Sequence, residues 1–296
     1  MAIAHEFAYT RPATLPAAVR TLQRYGARAR VLAGGTDLIS LLAEGLVKPE
    51  VVVDIKGIAS LNRIQLKDGR LHIGALVTFS DLRDSPILAR RFPVIREMTG
   101  WVASMGIRNR ATMVGNLCSA VPCCDSGPIL LVYDAVVQVT GPAGKRTVPL
   151  SKWFVGPRQT VLKRGEMATG IAVPVPKEKH AACFVKLRRY EGEDLAQASV
   201  TVLARTGHRY AISFGAVAPR PVRAQKIEAL LEGRALSASL IEQAVRLLPQ
   251  EIEPITDIRA TKEYRLHMSG VMLERALRAA AARLAGGGPA YGTSLI

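Results

Sequence analysis

Two consecutive glycines between a short apolar strand and a helical pattern restrict the fold of this chain more than any other feature. The strand is predicted at residues 30–33, Gly34 and Gly35 follow it, and the helical pattern begins at Leu38. Consecutive glycines adopt backbone angles that other residues avoid and expose the backbone N–H groups, so a phosphate group could approach them. A plain strand-to-helix turn explains the same residues equally well, and the residues alone leave both interpretations open.

The order of strands and helices predicts an α+β fold. Helices alternate with short strands over the first 55 residues, where Thr14 and Gly26 are the predicted ends of an amphipathic helix. Later segments follow in chain order: strands at 63–66 and 71–75, helices over 79–102, an irregular stretch at 106–127, strands at 184–188, 198–204 and 210–217, and helices at 221–231, 237–248 and 260–284. Strands that precede helices in this way indicate an antiparallel sheet covered by helices.

Proline and glycine positions predict the domain limits. Pro174 and Pro176 mark a linker, and three glycines at 286–288 begin a flexible tail. We therefore expect a first domain at residues 1–176, made of lobes at about 1–55 and 56–176. A smaller domain is expected at 177–285 and the tail at 286–296.

The charge of the chain does not predict a nucleic-acid partner. Lys and Arg exceed Asp and Glu by 40 to 24, which gives a net charge of +16, but the basic residues are spread along the whole sequence. Aromatic residues make up only 5% of the chain. Modules that bind single strands need a clustered basic face with stacking aromatics, so this class is disfavoured.

Hydropathy and cysteine usage predict a cytoplasmic protein without a membrane span. The longest apolar run, at 129–139, is interrupted by Asp134 and is much shorter than the roughly 20 residues that cross a bilayer. His5, Glu6 and Arg11 interrupt the region in which a secretory signal has its apolar segment. Four cysteines in 296 residues do not form a disulfide framework, and we expect reduced thiols.

Common catalytic and metal-binding signatures are missing. No G-x-G-x-x-G segment follows a strand, and Gly144-Lys145 lacks the other residues of a phosphate-binding P-loop, so a hairpin turn is the preferred interpretation. The five histidines are isolated from one another and from the cysteines, which disfavours zinc. The chain therefore has no residue set that would attack a substrate by itself.

A second polar stretch lies at residues 112–125, within an otherwise apolar region. It contains Thr112, Gly115, Asn116, Ser119 and Asp125. Polar groups in such a place must form hydrogen bonds either with one another or with a ligand. This stretch and the two glycines are the two candidate binding segments.

Five segments, in the same order, resemble a known family. They are F-A-Y-T-R-P at 7–12, A-G-G-T-D-L at 33–38, T-x-x-G-N…S-A-x-P…D at 112–125, K-L-R-R at 186–189 and D-I-R-A-T-K-E-Y-R at 257–265. With them the chain resembles, over almost its whole length, the FAD-binding medium subunit of the molybdenum hydroxylases, the xanthine dehydrogenase and carbon monoxide dehydrogenase family. The resemblance implies a two-lobed FAD-binding domain of that type (the PCMH type), followed by a smaller α/β domain with an antiparallel sheet and helices.

The resemblance also implies where noncovalent FAD binds. The two polar segments are expected to hold its pyrophosphate, Asp125 to lie near the ribityl and flavin end, and Leu195 and Gln197 to lie near the isoalloxazine. Val114 departs from the G-G-N that is common in the family, and its Cβ narrows the loop. The implied cofactor contacts are Leu32, Ala33, Gly34, Gly35, Thr36, Asp37, Leu38, Thr112, Gly115, Asn116, Ser119, Asp125, Leu195 and Gln197.

Partners follow from the same resemblance. A large subunit with molybdopterin would oxidise the substrate, and a small subunit with two [2Fe-2S] clusters would pass electrons through this FAD to an external acceptor within a hetero-oligomer. A free-standing FAD-dependent oxidoreductase that acts on a small substrate is the alternative. Some family members carry an extra iron–sulfur cluster near the position of Cys118, but the inserted loop is missing here and Cys123 is adjacent to Cys124. We therefore expect ordinary thiols.

Overall fold

A computed structural model describes residues 3–190 and 192–296. The strands are β1 (Ala8–Thr10), β2 (Ala29–Leu32), β3 (Val51–Asp54), β4 (Ile64–Lys67), β5 (Arg70–Gly74), β6 (Val136–Gly141), β7 (Gly144–Pro149), β8 (Phe154–Gly156), β9 (Gln159–Thr160), β10 (Met167–Pro174), β11 (His180–Leu187), β12 (Ala198–Arg205), β13 (Arg209–Gly215) and β14 (Val222–Arg223). The helices are α1 (Leu15–Tyr25), α2 (Leu38–Ala43), α3 (Phe79–Asp84), α4 (Pro86–Arg91), α5 (Pro93–Gly100), α6 (Met105–Arg108), α7 (Met113–Ser119), α8 (Ser126–Val132), α9 (Gln225–Leu231), α10 (Ala238–Arg246) and α11 (Lys262–Ala285).

The first sheet is parallel and small. Its order is β1-β3-β2, and Leu32 at the end of β2 is paired with Asp54 at the end of β3. Helix α1 begins as predicted, with the Ala17 N–H donating to Thr14 Oγ1 over 3.4 Å, and it ends at Gly26, whose φ is +56°. Because β2 runs directly into the two glycines, the sheet fixes where the first candidate loop begins.

The second sheet is antiparallel with the order β4-β5-β10-β6-β7. The predicted hairpin at Gly144 is confirmed as the turn between β6 and β7. Strand β10 was not predicted, although it lies in the middle of the sheet between β5 and β6. A glycine and a proline interrupt its apolar run, at Gly170 and Pro174, so the run does not read as a strand in sequence.

The prediction of an irregular stretch at 106–127 is wrong. Helices α6 and α7 lie within this stretch or overlap it, and α8 begins before its end. These helices have only four to seven residues each, which is too short to show a helical period, and their glycines, asparagines and prolines are typical of loops. The helical region at 79–102 is confirmed, but Pro86 and Pro93 divide it into α3, α4 and α5.

The last part of the chain forms the predicted antiparallel meander, with the order β11-β12-β13-β14. The helix predicted at 221–231 is shorter than expected, because β14 takes its first residues. Helix α11 packs across β11 and β12. Its buried face is lined by small residues and by Met272, Leu273 and Leu277, whereas Leu266 and Val271 of the predicted apolar face are only half-buried.

Two hydrophobic cores result. One is centred on Phe79, Phe92 and Trp153, and the other lies between α11 and the meander. The α+β class is therefore confirmed. Within the described ranges, no helix is both long enough and apolar enough to span a membrane.

The C-terminal segment is hydrogen-bonded to the rest of the protein. The Gly292 N–H donates to Glu97 Oε1 over 2.7 Å, and the Arg283 guanidinium donates to the carbonyls of Pro289 and Ala290 over 2.9 and 3.0 Å. This segment is thus attached to the fold, and its mobility stays a prediction.

Candidate functional site

One cavity brings the two candidate segments together with the loop between β11 and β12. Its volume is about 980 Å³, near the upper end of the range for ligand and cofactor sites. All but two of the residues predicted from the sequence line it: Ala33, Gly34, Gly35, Thr36, Asp37, Leu38, Thr112, Gly115, Asn116, Ser119, Asp125 and Leu195. The two that do not line it are Leu32 and Gln197.

The first loop is shaped by the need for close backbone contact. A Cβ on Gly34 would lie 2.0 Å from the carbonyl oxygen of Arg110, a distance that no side chain could occupy. Gly35 has a φ of +85°, which is a left-handed conformation that favours glycine. Gly34 thus lets the first loop rest against the backbone just before Thr112, where the second loop begins.

Hydrogen bonds organise the second candidate segment, residues 112–125, which contains α7, and join it to the first candidate segment. Thr112 caps α7, because its Oγ1 accepts the Gly115 N–H over 3.0 Å. Ser119, at the other end of α7, donates its hydroxyl to Asp37 Oδ2 over 2.5 Å. These two residues are 82 positions apart in sequence, and their bond joins the two candidate segments at the cavity.

Asp125 and Lys186 form a buried ion pair on the cavity wall. Lys186 Nζ lies 2.7 Å from Asp125 Oδ2 and also donates to the carbonyl of Trp101 over 3.0 Å, and the two side chains are only 2% and 10% exposed. Asp125 Oδ1 is buried and has no hydrogen-bond partner among the described residues. Burial raises the pKa of Asp125, and the Lys186 ammonium offsets this only in part. A free, buried acceptor therefore lies at the cavity wall.

The loop between β11 and β12 closes the cavity on a further side. Leu195 lines the cavity and is 46% exposed. Asp194 fixes the turn, because its carboxylate accepts the backbone N–H groups of Arg189 and Leu195 over 2.8 and 2.9 Å. Gln197 points elsewhere and donates from its amide to the carbonyl of Arg259. Leu195 therefore lines the cavity, and Gln197 does not.

Several cavity residues were not recognised in the sequence. The most important is Lys186, which belongs to the K-L-R-R segment but received no role. A lysine between Val185 and Leu187 in an apolar strand was the available signal, since lysine is almost never buried without a partner. Arg30, Lys163 and Arg164 also line the cavity, and no pattern in the sequence marks them.

Three of the cysteines lie at or beside the cavity. Cys118 and Cys123 line the cavity, and Cys124 is buried beside it. Burial raises the pKa of Cys118 and of Cys124 to about 12 and also raises the pKa of Cys123. Across residues 3–190 and 192–296, no group of three or more histidine, cysteine or acidic side chains is placed to hold a metal ion.

Comparisons with known proteins agree over almost the whole chain. Residues 5–176 match the family model described as the FAD binding domain in molybdopterin dehydrogenase, and residues 182–280 match the CO dehydrogenase flavoprotein C-terminal domain. The carbon monoxide dehydrogenase medium chain of Afipia carboxidovorans is 35% identical over 94% of this chain and 97% of its own length. The putative xanthine dehydrogenase FAD-binding subunit of Escherichia coli K12 is 31% identical over 94% of this chain and 97% of its own.

A solved structure gives the same result. Carbon monoxide dehydrogenase from Hydrogenophaga pseudoflava, in a form that lacks the Mo-pyranopterin moiety of its cofactor, has a chain that superposes with a TM-score of 0.91. The two chains are 32% identical, and the match covers 96% of this chain and 99% of the other. The chain therefore belongs to the family of FAD-binding flavoprotein subunits of the molybdopterin dehydrogenases.

Proposed function

We propose that this chain is the FAD-binding electron-transfer subunit of a multi-subunit molybdenum hydroxylase. The observation that carries the proposal is the cavity itself, because two loops 82 residues apart meet there through the bond between Ser119 and Asp37. Bound FAD would supply the redox chemistry, taking electrons from iron–sulfur clusters and giving them to an external acceptor. The chain would bind and orient this cofactor.

The cavity residues fit FAD at both of its ends. Gly34 and Gly35 line the cavity as backbone alone, and the N–H groups of such a turn suit a pyrophosphate. At the far wall, the unpartnered Asp125 Oδ1 would accept a hydrogen bond from the ribityl hydroxyls or from the ring. A buried acceptor without a hydrogen bond destabilises the protein. A hydrogen-bond donor of the ligand at this position would remove that destabilisation.

The buried cation and the thiols of the cavity are not available to attack a substrate. Lys186 is held by Asp125 and by the Trp101 carbonyl, so its ammonium is already used. The cavity thiols stay protonated at neutral pH because burial raises the pKa of Cys118 and Cys123. Membership of the family assigns substrate oxidation to a large subunit with molybdopterin, and a small [2Fe-2S] subunit completes the complex.

The domain division and the location belong to the same proposal. Two hydrophobic cores support an FAD-binding domain at residues 1–176 and a smaller domain at 177–285, with Ala182, Phe184, Leu203 and Ala211 of the smaller domain packing into the first core. All four cysteines are free, as is usual in the reducing cytoplasm, which is where we place the complex.

Flavin content is the first test. The purified chain should carry noncovalent FAD in a near one-to-one ratio, and acid or heat should release it for identification. FMN, a covalently bound flavin, or a colourless protein that does not take up added FAD would contradict the proposal.

Electron flow is the second test. The isolated chain should reduce artificial dyes slowly and should not hydroxylate organic substrates. When the large and small subunits are added, the substrate should bleach the flavin after the iron–sulfur clusters are reduced. Oxidation of an organic substrate at enzymatic rates by the lone chain would instead favour a free-standing FAD-dependent oxidoreductase.

A further inference from the structure

At the start of α11, a hydrogen-bonded unit joins Asp257 and the backbone that follows it to the buried Arg265. The Arg265 side chain is only 3% exposed, and its Nη2 donates to Asp257 Oδ1 over 2.7 Å. The same carboxylate oxygen accepts the backbone N–H groups of Arg259 and Ala260 over 2.8 and 3.2 Å. None of these four residues lines the cavity, and FAD binding as proposed does not explain the hydrogen bonds that join them.

The guanidinium of Arg265 holds two backbone segments that lead to the cavity. Its Nη1 donates to the carbonyl of Gln197, two residues after the cavity residue Leu195. The same nitrogen donates to the carbonyl of Ala216 over 3.1 Å. The Ala216 N–H in turn donates to the carbonyl of Pro122 over 2.9 Å. Pro122 is the first residue of the short segment that ends at Asp125.

Ala216 needs these partners. Its φ is +63°, a left-handed conformation that is strained for a residue with a Cβ and that persists only where the surroundings hold it. Arg265 holds its carbonyl, and Pro122 accepts its N–H. The planar fork of an arginine can bond three acceptors in fixed directions, and a lysine cannot reproduce this.

We propose that Arg265 is a positioning residue for the bound flavin. By tying Gln197 to Ala216, it fixes Leu195 relative to the segment that carries Asp125, and so it sets the position of Asp125 in the cavity wall. The inference rests on the proposed function, because the orientation of Asp125 affects a flavin only if one binds there.

The chain contains a matched control on the same helix. Arg283 is 4% exposed, pairs with Glu97 over 3.0 Å and donates to the carbonyl of Ala182 over 2.8 Å. Neither Glu97 nor Ala182 lines the cavity. Replacing Arg283 therefore removes a buried arginine of the same kind without disturbing the cavity wall directly.

The experiment compares R265K, R265Q and R283Q with the unaltered chain. FAD affinity, the midpoint potential of the bound flavin and its visible circular dichroism are measured below the unfolding temperature of each variant. We expect all three variants to unfold at lower temperature. R265Q and R265K should also bind FAD roughly tenfold more weakly and show a shifted potential, an effect of the size found for residues that act through others. R283Q should keep the affinity and potential of the unaltered chain.

Hydrogen exchange in the FAD-free chain gives a second measurement. The Ala216 N–H, bonded to Pro122, should exchange faster in R265K than in R283Q. If R265Q does not fold, the comparison of R265K with R283Q is sufficient for the test. Equal affinities, potentials and exchange rates in the Arg265 and Arg283 variants would overturn the positioning role. An unaltered chain that binds no FAD would overturn the proposed function itself, which is a separate outcome.

Discussion

The two ends of the cavity are held together by different kinds of interaction. At the loop end, Gly34 touches the backbone of Arg110 and Ser119 bonds Asp37, so close packing and neutral or exposed polar contacts dominate. At the far wall, the ammonium of Lys186 and the carboxylate of Asp125 are buried together. The first end should therefore respond to side-chain volume and the second to charge. The variants below test this difference, from the largest expected effect to the smallest.

Lys186→Met should destabilise the protein most. It leaves the Asp125 carboxylate buried without its cation, and breaking a buried pair in this way costs roughly 3–5 kcal/mol. Denaturant unfolding of the FAD-free chain measures the loss. Replacing both partners, as Lys186→Met with Asp125→Asn, should restore much of the stability. A double variant as unstable as Lys186→Met would show that the unpaired charge of Asp125 does not cause the loss.

The same variant should show a defined pH dependence. Burial already raises the pKa of Asp125, and removing the ammonium raises it further. A carboxyl whose pKa in the folded state lies above its value of about 3.9 in the unfolded state binds its proton more tightly in the folded state. Stability therefore falls as the pH rises from the unfolded-state pKa to the folded-state pKa. The deficit of Lys186→Met should therefore be smaller at pH 5 than at pH 8. A deficit that is independent of pH would contradict this assignment.

Asp125→Ala breaks the same ion pair from the other side. The sequence predicts a mild effect on folding and a stronger one on the flavin. The structure changes this expectation, because the variant leaves the ammonium of Lys186 buried beside a single carbonyl, that of Trp101. We now expect a loss of stability similar to that of Lys186→Met, in addition to weaker FAD binding, both measured on the purified chain.

Gly34→Ala tests the loop end by volume. Its Cβ would lie 2.0 Å from a backbone oxygen that cannot move like a side chain, so we expect destabilisation of roughly 1–3 kcal/mol and loss of FAD. Gly100→Ala is the control, because a Cβ there meets nothing within 4 Å. Thermal unfolding and flavin stoichiometry of both variants give the comparison, and equal results would show that the contact with Arg110 is unimportant.

Gly35→Val separates backbone strain from cofactor binding. The φ of +85° costs a valine roughly 1–3 kcal/mol, yet the chain should stay largely folded and lose FAD. Gly69→Val is matched for strain, since its φ is +68° and a Cβ there meets nothing within 4 Å, and it should keep FAD. If Gly35→Val retains flavin with unchanged affinity, the first loop is only a turn.

Cysteine replacement should have the smallest effect. Cys118→Ser and Cys123→Ser should each leave flavin stoichiometry and iron content unchanged, because neither thiol is needed at either end of the cavity. Absorbance spectra and an iron assay measure both quantities. Loss of iron from either variant would revive the additional cluster that the sequence disfavours.

The site could be predicted where its signals are local. The two glycines and the Thr112–Asn116 pattern are short stretches whose composition is unusual, and the structure brings both to the cavity. The ion pair is different, because Asp125 and Lys186 are 61 residues apart and belong to elements that meet only in the folded protein. Gln197 follows a correctly placed residue by two positions, but both residues lie in the loop before β12, where side chains keep no regular spacing, and the Gln197 amide donates to the carbonyl of Arg259 instead.

The fold shows the same limit. Long elements with a clear period, such as α1 and β12, were predicted closely. Helices α6 and α7 were missed because the tertiary environment stabilises them, and so few residues carry no repeating pattern. Strand β10 was missed because its position at the centre of a sheet comes from long-range pairing with β5 and β6.

The hydrogen bond between Ser119 and Asp37 has a consequence for how the protein is made. Its partners are 82 residues apart, and Lys186 follows much later in the chain, so no short segment contains the complete cavity. During synthesis the first loop would leave the ribosome long before the second one, and the buried cation would leave later still. Contacts between distant residues form slowly because a large loop must close first. Cofactor loading thus belongs to the last stage of maturation, when a nearly complete chain has already folded.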